Sequence, residues 1–292
     1  LTILKIRRKH RWAVFEIGVD HKNEMDFHLD LFKPDIVVFT GVTPVHSEKH
    51  LLGSFAGVIK EKEKLVKALK PDGFLIYNFD DKNVKKIARR SKVRKISYSL
   101  LDKKADYFLK KYSLTPAGSN FSLFSNLTKK QLEIKTRLVG IHFASQYMIA
   151  FAFAEKEKIN LRILQKSASM INPLAGRMSP KKFINGSYLL DDRLRANPAS
   201  VRAGLETFKT LGKFFKRKII IIGEMGELGT RAILEHQKIG EIINQDIKPD
   251  YFIGIGPLTK KVAEKINTPE IKVFFCSDPL QAAEIIKEKV NL

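Results

Sequence analysis

The chain has 292 residues, 44% of them hydrophobic, enough for roughly two domains with real cores, which excludes wholesale disorder. Its single cysteine, Cys276, excludes an internal disulfide framework and fits a reducing compartment, and no apolar run is long enough to cross a bilayer. Lysine and arginine number 53 against 31 aspartate and glutamate, a net charge of +22 spread along the whole chain without zinc-finger spacing, an RNA-recognition signature or an aromatic–basic repeat. That pattern reads as a solvated lysine-rich surface that attracts anions, with nucleic-acid binding as the minor alternative.

The first apolar stretch is short and its charges follow it, so it is no signal peptide. The chain opens on Leu1 rather than methionine, and the expectation is a fragment of a longer protein. Residues 12–19 read as a buried strand and 35–42 as a second, entered through Lys33-Pro34. Helical spacing covers 53–69, with Phe55, Val58, Ile59, Leu65, Val66 and Leu69 on one face. A Pro71-Asp72-Gly73 turn leads to a strand at 74–80, and 97–139 alternates more weakly, as a small antiparallel region. A helix at 140–155 precedes a Pro/Gly cluster at 171–178, which marks a domain junction. Beyond it come a strand at 187–192, a helix at 198–211 opened by Asn197-Pro198, and strands entering 223–229, 250–256 and 272–278. Strands alternating with helices predict an α/β protein: domain 1–172, then a small doubly wound domain 173–292.

Ligands gather at the carboxyl ends of parallel strands. Glu16, His46 and the pair Asp80-Asp81 fall at such ends. Glu16 interrupts an apolar strand, where a carboxylate is costly unless paired, bound to a cation or reaching solvent. His46 and Lys62 carry little information alone. The glycines of 223–229 follow a strand as GxxGxxG, which suits a phosphate cradle or simply a tight loop. The phosphate-loop pattern GxxxxGK[ST] occurs nowhere in the chain.

In order, these motifs resemble the Mur ligase family over nearly the whole chain. Residues 15–25 resemble its strand ending in a metal-binding Glu, here Glu16. Residues 40–65 resemble the loop with the metal-site His, here His46, and the helix whose Lys becomes a carbamate, here Lys62. Tyr77 to Asp81 resembles its Asn-x-Asp-Asp strand end, with Asn78, and 140–150 its Gly-x-His-Asn-x-x-Asn helix, with His142 and Gln146. Residues 171–178 resemble its Pro-x-x-Gly-Arg linker, with Arg177. Residues 189–200 resemble the segment carrying Asp192 and Asn197, and 223–236 the Gly-Asp-Met-x-Glu-Leu-Gly…His stretch, with Glu227 and His236.

The resemblance implies a central domain lacking its phosphate-loop segment, followed by a Rossmann-like C-terminal domain. It implies a cytoplasmic, bacterial, ATP-dependent amide ligase of peptidoglycan precursor synthesis, working through an acyl phosphate. ATP and Mg²⁺ are the implied cofactors; a UDP-N-acetylmuramoyl-peptide and D-alanyl-D-alanine are the implied partners of a monomer. Glu16, His46 and carbamylated Lys62 would hold metal and serve catalysis; Asn78, His142, Gln146, Arg177 and Asp192 would bind nucleotide; Asn197 and Glu227 would contact substrate. The chain departs from the pattern at Gly41, Phe143, Leu194 and Arg195. A divergent active ligase, a ligase for another amine, and a relative that kept only the scaffold all remain open.

Overall fold

A computed structural model describes residues 3–290; the terminal Leu1 lies outside them. The first lobe contains α1 (Glu24–Leu31), β1 (Ile36–Phe39), α2 (Phe55–Lys67), β2 (Phe74–Asn78), α3 (Lys82–Arg90), β3 (Arg94–Ser99), β4 (Tyr107–Thr115), β5 (Gly118–Ser125), β6 (Gln131–Thr136), α4 (Phe143–Lys156) and α5 (Leu161–Met170). One six-stranded sheet runs in the order β1-β2-β3-β4-β5-β6. Its first four strands are parallel and its last three antiparallel.

Pleating sends neighbouring residues to opposite faces, and β2 uses both. Leu75 joins a core under α2 and α3 that contains Val37, Phe39, Val58 and Val84. Ile76 joins the other core, where Met148 and Phe151 of α4 lie among Tyr107, Phe121 and Leu123. Phe151 meets the Tyr107 ring edge-on, with centroids 5.1 Å apart. A sheet covered on both faces is what near-continuous apolar strands such as 74–77 require.

The second lobe holds β7 (Ser179–Lys182), β8 (Tyr188–Asp191), α6 (Pro198–Gly212), β9 (Ile219–Ile222), α7 (Ala232–Ile242), β10 (Tyr251–Ile255), α8 (Thr259–Ala263), β11 (Lys272–Cys276) and α9 (Pro279–Ile285). Its parallel sheet has the order β11-β10-β9. Phe252, Ile220, Ile239, Ile243 and Val262 fill its core, which Val45 of the first lobe also touches. No helix among the described residues is long and apolar enough to cross a membrane.

Three expectations change. Residues 12–19 form no strand. Trp12 sits edge-on to Phe153 with centroids 5.8 Å apart, and lines a cavity of about 300 Å³ with Asp35 and Ile36 at the start of β1. The Val19 carbonyl faces His46 beyond the end of β1. The segment forms no ladder with β1, because apolar pattern alone supplies no ladder partner. The 187–192 strand pairs as a two-stranded antiparallel ribbon, β7 with β8, outside the three-stranded sheet. In the 97–139 region, β3 enters the sheet parallel to β2, and only β4 to β6 are antiparallel.

Asn197 has a job in the fold. Its Oδ1 accepts from the Ala199 and Ser200 amides, and the Ser200 hydroxyl oxygen accepts from the Asn197 amide, a reciprocal cap on α6. Asn197→Ala should cost about 1 kcal/mol, read as a lower urea midpoint with an unchanged slope. An unchanged midpoint would refute the cap's contribution.

Candidate functional site

The carboxyl ends of β1 and β2 are tied together by side chains. Asn78 donates from Nδ2 to the Thr40 carbonyl (2.9 Å) and accepts from the Asp80 amide (2.9 Å). Asp80 accepts from the Ser99 hydroxyl and from the Leu100 amide, bringing in the end of β3. Asp81 divides its oxygens: Oδ1 caps α3 through the Asn83 and Val84 amides, and Oδ2 accepts from the Val42 amide at 2.8 Å. These contacts fix the loop that leads to His46. Asn78 was expected at the nucleotide; its amide group here braces the strand ends.

Lys62 lies on α2, largely removed from water. Burial holds its ammonium below the usual lysine range, against the opposing pull of the Asp81 carboxylate. A lysine whose neutral amine is favoured in this way is suited to carbamylation. Glu16 is exposed and makes no hydrogen bond or ion pair among the described residues.

His46 is engaged on both sides. Its Nδ1 faces the Val19 carbonyl at 2.9 Å and its Nε2 faces Glu227 Oε2 at 3.0 Å. Both nitrogens already face an oxygen at hydrogen-bond distance, so neither is open to a metal in this arrangement. The His46 amide also donates to the Glu227 carbonyl at 3.1 Å. Tested as a metal set, Glu16 offers an unpaired carboxylate and Lys62 an amine whose charged form burial disfavours; His46 as arranged does not fit. The one group of three His, Cys, Asp or Glu side chains with mutually close ligand atoms among the described residues is Asp20, His21 and Glu24. There Glu24 already accepts from the Asp20 and His21 amides, in the turn entering α1.

A second group surrounds the start of α4. Burial pushes the His142 imidazole down to about 4, so the ring is neutral at pH 7. Its Nδ1 is buried without a partner, an orphan of the kind a ligand's donor would satisfy. The ring lies against Phe143, with centroids 4.2 Å apart. Gln146 is exposed one turn on, its amide nitrogen oriented to donate to the His142 (2.7 Å) and Phe143 (3.0 Å) carbonyls. A third group joins the linker to β8. Asp192 Oδ1 accepts from the Met178 amide at 3.0 Å. Burial raises the Asp192 carboxyl, while that bond and the Arg177 charge oppose the rise. Arg177 is exposed beside it. Leu194 packs beside Gly176, where an added Cβ would come within 2.8 Å of its side chain. Arg195 holds a left-handed backbone at φ 57°.

The structure thus pairs His46 with Glu227, brings the Arg177 charge within reach of Asp192 without an ion pair, and places Asn78 beside Asp80 and Asp81. It makes no direct contact between Glu16 and Lys62. Sequence reasoning missed the bracing by Asp81, although an Asp before the Val84, Ile87, Ala88 spacing is a capping signal. It also missed what His236 does. That ring is fully buried, with Nδ1 on the Ala232 carbonyl and Nε2 accepting from the Met225 amide, so it staples the glycine-rich loop to α7. Glu224, at the loop's other side, accepts from the Leu258 amide at 2.6 Å. The loop is tied down by side chains, and Glu227 projects from it toward the first lobe.

A parallel-rich sheet with polar groups gathered at one end, joined through an exposed linker to a second α/β lobe, defines a two-lobed α/β scaffold. The Mur ligase middle domain family model matches residues 1–154, and that of the Mur ligase, glutamate ligase domain matches 176–291. The chain belongs to the Mur ligase family. It is similar to UDP-N-acetylmuramoyl-tripeptide--D-alanyl-D-alanine ligase of Haemophilus influenzae, 29% identical over 267 residues, covering 91% of this chain and 56% of the relative. The Bacillus subtilis ligase of the same name is 27% identical over 272 residues, with 90% and 55% covered. The chain spans little more than half the length of these relatives. Among solved structures, MurF from Acinetobacter baumannii superposes with a TM-score of 0.83 at 22% identity, covering 99% of this chain and 60% of that one. MurF ligase from Thermotoga maritima in complex with ADP gives 0.76 at 17% identity, with 93% and 59% covered. At these identities the structures speak for the fold.

Proposed function

We propose that this chain is the nucleotide- and amine-handling part of an ATP-dependent amide ligase of peptidoglycan precursor synthesis, a cytoplasmic, monomeric bacterial enzyme. The ligase adds D-alanyl-D-alanine to a UDP-N-acetylmuramoyl-tripeptide. The observation carrying this reading is that relatives of that name align with about nine-tenths of the chain, through both lobes. We place the division between the lobes at 172/173, in the stretch between the two family matches.

In the proposed reaction, a carboxylate oxygen of the tripeptide attacks the γ-phosphorus of ATP and ADP leaves. The dipeptide amine then attacks the acyl carbon, loses a proton and expels phosphate. Arg177 balances phosphate charge and Asp192 accepts from the ribose hydroxyls. His142 and Gln146 face the adenine, where the orphaned His142 Nδ1 accepts a donor. Glu16 and carbamylated Lys62 would hold Mg²⁺ through oxygen, and the ion would supply neutralisation of phosphate charge. Asn197 contacts substrate through its amide nitrogen while its oxygen caps α6.

The departures at Phe143, Leu194 and Arg195 favour a second reading, a relative that kept the scaffold and lost efficient ligation. Phosphate release from ATP by the full gene product separates the two. Ligation predicts release that needs Mg²⁺, the tripeptide substrate and the dipeptide together; no release with all three present sinks it. Glu16→Ala should leave stability within about 0.5 kcal/mol, because the side chain is exposed and unpaired, yet weaken Mg²⁺–ATP binding by calorimetry. Equal binding would remove Glu16 from the site.

A further inference from the structure

We infer that the His46–Glu227 contact is a clasp that fixes the glycine-rich loop of the second lobe against the first, and that this clasp and metal ligation by His46 exclude one another. Two bonds form it: Nε2 to Oε2 at 3.0 Å, and the His46 amide to the Glu227 carbonyl at 3.1 Å. Both residues hold left-handed backbones, His46 at φ 64° and Glu227 at φ 60°. Non-glycine residues leave that region unless surrounding structure holds them there. Two such residues meeting side chain to side chain and backbone to backbone mark a built contact.

The neighbourhood agrees. Val45 reaches the second lobe's core. Gly229 sits over Glu48 and Ser47, with an added Cβ 3.7 Å from both. The Arg231 guanidinium lies 5.9 Å from the Phe55 ring centroid. On the second lobe, His236 and Glu224 hold the loop, so movement of Glu227 is movement of the lobe. On the first, Asp81 and Val19 hold the loop bearing His46. The clasp therefore connects two braced loops. For His46 to present a lone pair to a metal, Glu227 must let go of Nε2. Glu227 is then a positioning residue rather than a substrate contact. This deepens the ligase reading and depends on it only for the metal.

Hydrogen–deuterium exchange on the metal-free chain tests the clasp without reference to ligation. Glu227→Asn and His46→Asn tolerate the left-handed backbone, and Asn is a methylene shorter than Glu. Each variant should speed exchange in residues 43–52 and 223–231 by about tenfold, and the double variant should add nothing further. Glu284→Gln, exposed on α9 and outside both loops, should leave both segments unchanged. Unchanged exchange in both singles, or additive effects, overturns the clasp. Calorimetric titration with Mn²⁺ tests the exclusion. Glu227→Asn frees the His46 lone pair and should bind about fivefold more tightly than the parent chain. Equal affinity, or no binding by either, overturns the exclusion and leaves the ligase reading to its own assay.

Discussion

Acidification from pH 7 to pH 4 is expected to remove about 3 kcal/mol of stability through His142 alone. Burial holds its folded-state value at about 4 against an ordinary 6.5, and each unit is worth about 1.4 kcal/mol. The unfolded chain takes up the proton first, as pH falls through 6.5, while the folded chain resists until about 4. Stability is therefore full above 6.5 and drains across that window. Asp191 and Glu235, held low by their cationic partners, lose their contributions only below the usual carboxylate range, so they fall outside most of it. Urea midpoints of the parent chain and His142→Gln, taken from pH 7 to 4.5, make the comparison. The parent should lose more with each step. Parallel curves would mean that the imidazole is reached by water.

Gly140→Ala should be comparably damaging, at roughly 3 kcal/mol, combining backbone strain with overpacking. Gly140 has φ 143°, and a Cβ there would lie 2.4 Å from His142 Cε1, 2.7 Å from its Nδ1 and 3.1 Å from the Thr207 hydroxyl of α6. The turn that starts α4 thus seats His142 and touches the second lobe through one residue without a side chain. Thermal unfolding reads the loss, and nucleotide binding by the surviving folded fraction reads the displacement of His142. A variant with parent-like melting and parent-like binding would show that the turn adapts.

The parts of the fold that were legible in the sequence are those whose burial is local. β1, β2, β9, β10 and β11 announce themselves as short apolar runs with helices between, and α2 and α6 by their spacing and start signals. Residues 12–19 have the same apolar look and form no strand, because pairing depends on a neighbour that pattern does not specify. β8 was read as a strand and is one, yet its partner is β7, the four residues immediately before the turn that starts at Phe183, an association no periodicity encodes. α3 was hidden by its cations, although Val84, Ile87 and Ala88 mark its buried side.

The candidate site was legible mostly through resemblance. Arg177 beside Asp192 and the buried His142 follow the motif order. The engagement of His46 by Glu227 does not, since it joins loops from different lobes through chemistry that spacing cannot show. Asn78 and Asn197 carry a further lesson: each was read as a ligand contact, and in each the scaffold takes the side-chain oxygen, while the Asn197 amide nitrogen makes no hydrogen bond among the described residues.

β1 ends the six-stranded sheet, and Val38 on it is 39% exposed, with Val14 of the neighbouring unpaired segment 90% exposed. Among the described residues the outer side of β1 has no ladder partner, and apolar side chains there meet water. The basic excess of +22 gives every encounter between two copies a long-range repulsion that acts before their edges meet. Dissolved salt shortens the reach of that repulsion, so two copies approach more freely at high ionic strength than at low.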